Sequence, residues 1–153
     1  MDCIHHDADE FLMSGKGIVW ERVCNNSRER LRQDGLIAWC RMHPPVLKVG
    51  KGQSSKRGSF LAVRTGKGPP DWVCVSNGLS ILGDDKDCKN LAGWATKNVK
   101  KHQAKHFDYW VRNGGVSCIL LRMCDKSRWV IPWETLRPLW EQGKTLSMTN
   151  LEE

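Results

Sequence analysis

Three residues near the middle of the chain carry the chemistry that can be read most directly. Asp71, Asp84 and Lys86 are spaced as Asp-x12-Asp-x-Lys. Asp84 and Lys86 are two apart, so on a strand both point to the same face. Asp71 opens a stretch that reads as a β-hairpin, two apolar runs joined around Ser76-Asn77-Gly78, and Asn-Gly is a strong signal for a tight turn. Folding back at that turn brings Asp71 beside the other two. Two carboxylates and one ammonium on one face pack poorly unless something compensates. Mg²⁺, with Mn²⁺ as a substitute, would do so, because a hard cation takes carboxylate oxygens and keeps waters for a phosphate. Lys86 could then orient a water or stabilise charge growing on the phosphate. Taken alone, the run Gly-Asp-Asp-Lys-Asp-Cys-Lys also fits a solvated charged turn. Its position at strand ends, after an apolar run and before a basic helix, favours the site. A second Asp-x-Lys, Asp87 and Lys89, has the opposite parity to Asp84 and points to the other face.

The surrounding chain reads as an α/β domain, a mixed central sheet flanked by helices. Residues 1–13 read as a flexible N-terminal arm in which His5, His6 and Asp7 are a weak metal pattern. Residues 14–143 read as one domain and 144–153 as a flexible C-terminal tail. Ile18, Val19, Val23 and Leu31 give partial helical spacing that Gly35 would end, which predicts a helix at about 16–34. LIAWCRMH predicts a strand. Residues 44–68 predict a strand, a flexible Gly/Ser/Lys/Arg loop and a second strand, a protruding stalk. Lys48, Lys51, Lys56, Arg57, Arg64 and Lys67 fall in that stretch, with Asp and Glu absent, which favours an arm for nucleic acid over a plain surface loop. Residues 91–114 are long enough for a helix, with Val99, His102, His106, Tyr109 and Trp110 near helical spacing and Asn113-Gly114-Gly115 as its end. Lys97, Lys100, Lys101 and Lys105 share that segment and could meet phosphates; Lys16 and Arg22 are further candidates. His102 and His106 are four apart, a zinc spacing, but no third ligand accompanies them. VSCILLRMC and SRWVIPW predict strands, and ETLRPLWEQG a short final helix.

Composition narrows the classes. The chain has 153 residues, 40% hydrophobic and 27% charged, enough for one domain with a hydrophobic core. A net charge of +7 suits a polyanionic partner. No apolar run approaches the roughly 18 residues of a membrane span. The start MDCIHHDADEF is acidic and polar, unlike a signal peptide, so the expected location is the cytoplasm and no membrane partner is expected. Seven cysteines, an odd number without a Cys-x-x-Cys pair, read as small buried hydrophobes in a reducing compartment. Of eight tryptophans, Trp129, Trp133 and Trp140 read as core or interface.

Pro69-Pro70-Asp71 followed by Asp84-Asp85-Lys86 resembles the PD-(D/E)xK nuclease signature, and the wider order resembles the RecU-type Holliday junction resolvases. A helix carries Glu21; then come the basic strand-loop-strand, Asp71, Asp84-Asp85-Lys86, His102-Gln103, and a Gly114-Gly115 that leads into an apolar strand. The resemblance spans roughly residues 14–140. It implies a restriction-endonuclease-like fold and a metal-dependent endonuclease of DNA recombination and repair, acting on four-way junctions by symmetric paired nicks as a homodimer. It implies two Mg²⁺ per site and no small-molecule cofactor. Asp71 and Asp84 would be metal ligands, with the backbone carbonyl of Asp85 as a third. Lys86 would be the catalytic lysine, Gln103 would reach the metal or its water from the helix, and Glu21 would help through water. The host would be a bacterial or virus-infected bacterial cell. The family usually has Glu where Asp84 stands, one methylene longer, so Asp85 could contribute instead. The stalk is also shorter than usual and lacks long apolar runs.

Overall fold

The computed structural model describes residues 18–51, 60–64, 66–147, 149 and 151. The expected N-terminal arm and Lys16 lie outside the described residues. Helix α1 (Ile18–Gln33) comes first, followed by strands β1 (Ala38–Arg41), β2 (Val46–Lys51), β3 (Phe60–Arg64), β4 (Trp72–Ser76) and β5 (Leu79–Asp87). Then come β6 (Trp94–Ala95), a 3-10 turn (Thr96–Asn98), α2 (Lys101–Arg112), β7 (Val116–Arg122), β8 (Arg128–Pro132), α3 (Trp133–Gln142) and β9 (Thr145–Leu146).

Five strands form one mixed sheet in the order β1-β4-β5-β7-β8. Its only parallel pair is β5 with β7, joined by a crossover through α2; β1/β4, β4/β5 and β7/β8 are antiparallel. This is the mixed α/β architecture that the sequence predicts. The β4–β5 turn has the predicted basis, since Asn77 (φ 49°) and Gly78 (φ 78°) both sit in the left-handed region that the twist-matched two-residue hairpin requires. Strands β2 and β3 pair antiparallel as a separate two-stranded sheet, with an irregularity between Lys48 and Gly50. Lys56 and Arg57 lie outside the described residues, as do the side chains of Lys48, Lys51 and Arg64.

The segment 91–114 differs from expectation. Only Lys101–Arg112 is α-helix. Upstream, Trp94 and Ala95 pair with Leu146 and Thr145. The buried Thr96 sends both its N–H (3.1 Å) and its hydroxyl (2.7 Å) to the carbonyl of Lys144. These backbone groups are satisfied by chain nearly fifty residues away, a competitor to helix that local periodicity does not reveal. The same pairing corrects the reading of the C-terminal tail as flexible from residue 144: Thr145–Leu146 is a strand, and Leu146 is buried.

The sheet is covered on both faces. On one, Leu82, Ile119 and Leu121 pack with Phe107 of α2 and with Trp133 and Leu136 at α3. The Trp133 ring lies 5.2 Å from that of Phe107, and Trp129 and Trp140 pack against the same cluster, as expected for core tryptophans. On the other face Trp72, Cys74 and Cys118 form a smaller cluster. Helix α1 lies over this second face and buries Trp20, Cys24 and Arg28, a stripe at intervals of four. Cys24, Cys74, Cys88 and Cys118 are buried free thiols, as expected, whereas Cys40 is exposed.

Trp72 and Gly83 face each other across the hairpin. A Cβ at Gly83 would lie 2.0 Å from Cζ2 of the Trp72 ring. Glycine is therefore required next to Asp84 by close approach of the indole. Gly83→Ala should lower unfolding free energy by about 1–3 kcal/mol, the usual cost of overpacking, measured by urea denaturation. A substitution that left the midpoint unchanged would contradict this packing.

Candidate active site

The hairpin and the crossover together build the site. Strand β5 is central, so the side chains of its middle residues are covered from both sides. Asp84 and Lys86 point toward the face that carries α2, and Asp85 points to the α1 face. Asp84 has 0% of its surface exposed, which is unusual for a carboxylate.

Three groups surround Asp84. Its Oδ1 accepts a hydrogen bond from Gln103 Nε2 at 2.8 Å. Gln103 Oε1 in turn accepts the backbone N–H of Lys100 at 3.0 Å, one of the donors that a helix start leaves unpaired. One side chain thus both caps α2 and holds Asp84. On the other oxygen, Oδ2, Lys86 Nζ makes an ion pair. Asp71 lies alongside. Burial pushes the Asp84 carboxyl up to about 7, the Lys86 ammonium pulls it down, and the Asp71 charge pushes it further up.

Asp71 is fixed by the turn into β4. Its carbonyl accepts the N–H of Met42 at 2.8 Å, and its Oδ2 accepts the N–H of Asp85 at 2.9 Å. Asp71, Asp84, Lys86 and Gln103 therefore lie together on one face of the sheet. The Asp85 carboxylate lies apart from them. On the opposite face it is ion-paired with Arg28 and accepts the indole N–H of Trp72 at 2.9 Å. Burial raises its pKa, against the pull of Arg28. Of the two candidates for second carboxylate, Asp84 is the one that shares a face with Lys86 and Gln103. Glu21 is held by Arg41, the β1 residue paired with Trp72, so its carboxylate is engaged at the edge of this region. Asp87, of opposite parity to Asp84 as expected, is ion-paired with Arg122. Arg28 was missed by sequence reasoning. The signal for it was available: an Asp of odd parity under a helix needs a buried cation.

A cationic rim borders the site. His102 has its pKa lowered by burial first and then by Lys67, His106, Lys86 and Lys100, whose charges converge on it. Lys67, Lys100, Lys101 and Lys105 are exposed, available to an anionic partner. Lys97 instead lies 4.5 Å over the Trp140 ring, on the α3 side.

The donors suit a hard divalent cation. Among the described residues no group of three or more His, Cys, Asp and Glu converges as a metal-binding cluster. Mg²⁺ does not need one, because it is commonly held by one or two carboxylates together with waters and substrate phosphate. Asp71 and Asp84 supply two carboxylates against the single ammonium of Lys86.

The family described as "Recombination protein U" matches residues 15–153. Over 134 residues the chain is 25% identical to a protein named Holliday junction resolvase RecU from Geobacillus sp. (strain WCH70), a match that covers 85% of this chain and 66% of the relative. A protein of the same name from Lacticaseibacillus casei (strain BL23) is 24% identical, with 86% and 64% covered. The chain thus spans just under two thirds of the length of these curated relatives. Among solved structures, the Holliday junction resolvase Hjc of Archaeoglobus fulgidus aligns with a TM-score of 0.39 at 15% identity, over 72% of this chain and 77% of that one.

The raised pKa of Asp84 predicts a pH dependence. A carboxyl that holds its proton more tightly folded than unfolded favours folding fully below the ordinary value of 3.8, and loses that contribution as pH rises through about 7. At pH 8 without divalent metal, Asp84→Asn should therefore raise the melting temperature, by about 2–8 °C, the shift that 1–2 kcal/mol makes in a domain of this size. The gain should shrink at pH 5. Calorimetry across this range checks it, and a pH-independent difference would contradict the buried-carboxylate account.

Proposed function

The chain belongs to the recombination protein U family, and from that premise we propose that it is a divalent-metal-dependent DNA endonuclease. Its substrate in this reading is the four-way (Holliday) junction, which a homodimer resolves by paired symmetric nicks. The observation that carries the reading is Asp84, a carboxylate with no exposed surface, beside Asp71 and contacted by Lys86 and Gln103. The names of the relatives from Geobacillus and Lacticaseibacillus add the junction as substrate.

In this reading Asp71 and Asp84 would hold Mg²⁺, or Mn²⁺ in its place, and the backbone carbonyl of Asp85 would be a third donor. When bound, the cation would supply Lewis-acid neutralisation of phosphate charge. Gln103 fixes the Asp84 carboxylate in one orientation. Lys86, whose side chain is 20% exposed, stabilises charge on the scissile phosphate. A water oxygen adds to phosphorus and gives up a proton to solvent, the P–O3′ bond breaks, and the departing O3′ takes up a proton from solvent, so the ends are a 5′-phosphate and a 3′-hydroxyl. Glu21 joins through water once Arg41 releases it. Lys67, Lys100, Lys101 and Lys105 bind backbone phosphates near the site. Lys48, Lys51, Lys56, Arg57 and Arg64 of the stalk enter the junction centre. The protein works in the cytoplasm of a bacterial or virus-infected bacterial cell.

The test is a cleavage assay on labelled four-way junction and matched linear duplex, with Mg²⁺ or EDTA. Paired symmetric nicks in the junction alone are expected. Equal cutting of duplex would overturn junction selectivity, and tight binding without cutting under any divalent metal would overturn the enzyme assignment. Lys86→Ala should lower the cleavage rate by about 10²-fold or more, the loss expected when a transition-state charge stabiliser is removed, while junction binding by gel shift is retained. Deletion of residues 51–58 should reduce the preference for junction over duplex, and unchanged selectivity would refute the role of the stalk.

A further inference from the structure

Strand β5 buries a second carboxylate directly after the first. Asp85 points into the layer beneath α1, beside Cys24, Trp72 and Cys118, all less than one tenth exposed. Its side chain is 1% exposed and that of Arg28 is 7% exposed. A charge in such a layer is strongly unfavourable unless it is paired. Arg28 reaches it from the third turn of α1, and its guanidinium lies 4.3 Å over the Trp72 ring. Its other nitrogen donates to Asn25 Oδ1 at 2.8 Å, which fixes the guanidinium plane. The Trp72 indole N–H joins the same Asp85 oxygen, and its ring rests on Gly83. The second Asp85 oxygen, Oδ2, is buried without a hydrogen bond, so Arg28 and Trp72 together carry the whole interaction.

The consequence runs through the strand. The same residue that Arg28 holds by its side chain donates its backbone N–H to Asp71 Oδ2, on the site's side of the hairpin. Without Arg28, the buried Asp85 carboxylate keeps only the indole N–H of Trp72 and no counter-charge, and turning it toward water rotates its peptide. We propose that Arg28 is a positioning residue for the candidate active site: by anchoring Asp85 on the α1 face, it sets the direction of the N–H that holds the Asp71 carboxylate beside Asp84. The inference rests on the metal-site reading above. It also explains the Asp85 carboxylate, which takes no part among the donors around Asp84.

The test uses the full chain, ¹⁵N-labelled, as wild type, Arg28→Met, Arg28→Lys and the double variant Arg28→Met/Asp85→Asn. Two quantities are read. One is hydrogen exchange of the position-85 amide, compared with other β5 amides, without metal. The other is Mn²⁺ affinity, by electron paramagnetic resonance. In Arg28→Met the position-85 amide should exchange faster than its β5 neighbours, and Mn²⁺ affinity should fall by about tenfold or more, the range seen when a group that orients a metal ligand is lost. Arg28→Lys should recover part of both. The double variant, which removes the stranded charge, should bring both back to within about threefold of wild type if the effect passes through Asp85. Should Arg28→Met fail to fold, Arg28→Lys and the double variant carry the same comparison. An Arg28→Met protein with a lower melting temperature, but a wild-type amide and wild-type Mn²⁺ affinity, would overturn the positioning role and leave Arg28 as packing. An accelerated amide in a protein whose wild type binds no Mn²⁺ would support the link from Arg28 to Asp71 and overturn the metal-site reading alone.

Discussion

A carboxylate taken out of water is destabilising by several kcal/mol unless it is paired, protonated or bound to a cation. Strand β5 does this twice in succession, with Asp84 on one face and Asp85 on the other. The two are accommodated differently. Asp85 receives a permanent partner, Arg28, and an indole N–H. Asp84 receives an amide, an ammonium and a neighbouring carboxylate that works against it. Asp85 faces one buried cation, whereas Asp84 and the neighbouring Asp71 face the single ammonium of Lys86, an excess of negative charge that a divalent cation would offset.

The topology follows from that contrast. Asp84 is buried because β5 is central, and β5 is central because the Asn77-Gly78 hairpin places β4 on one side and the α2 crossover places β7 on the other. The crossover returns the first turn of α2 over Asp84, so Gln103 is delivered to it while capping the same helix. On the far face α1 must cover Trp72, Cys74 and Cys118, and its buried stripe ends in Arg28 just where Asp85 emerges. Gly83 lets the Trp72 ring lie flat against the strand between these two demands. The candidate site and the scaffold therefore share a part: Asp85 is anchored by Arg28 and Trp72 and donates its N–H to Asp71.

Much of this was legible in the sequence. Parity alone places Asp84 with Lys86 and apart from Asp87, and Asn77-Gly78 fixes the hairpin that returns Asp71. Gln103 entered through resemblance, since a glutamine on a basic helix has no distinguishing spacing. What was not legible depends on distant pairing. The residues before α2 looked helical because their apolar spacing is compatible with a helix, whereas Trp94–Thr96 bond to the chain around Lys144–Leu146. Arg28 resembled one more charge on a polar helix, in a run with Arg30 and Arg32. Only the i, i+4, i+8 stripe of Trp20, Cys24 and Arg28, read together with the odd parity of Asp85, marks it as buried. Glu21 carried no local signal of its tie to Arg41, which lies twenty residues on in another element.

The central claim is that Asp71 and Asp84 together hold a divalent cation. Its most direct measurement is metal-localised oxidation. Fe²⁺ is placed in the wild-type chain, radicals are generated with ascorbate and peroxide, and the oxidised positions are mapped by mass spectrometry. The account predicts modification concentrated at Asp71 and Asp84–Lys86, suppressed by excess Mg²⁺ and lost in Asp84→Asn. Oxidation centred elsewhere, as at His102 and His106, or insensitive to Mg²⁺, would contradict it.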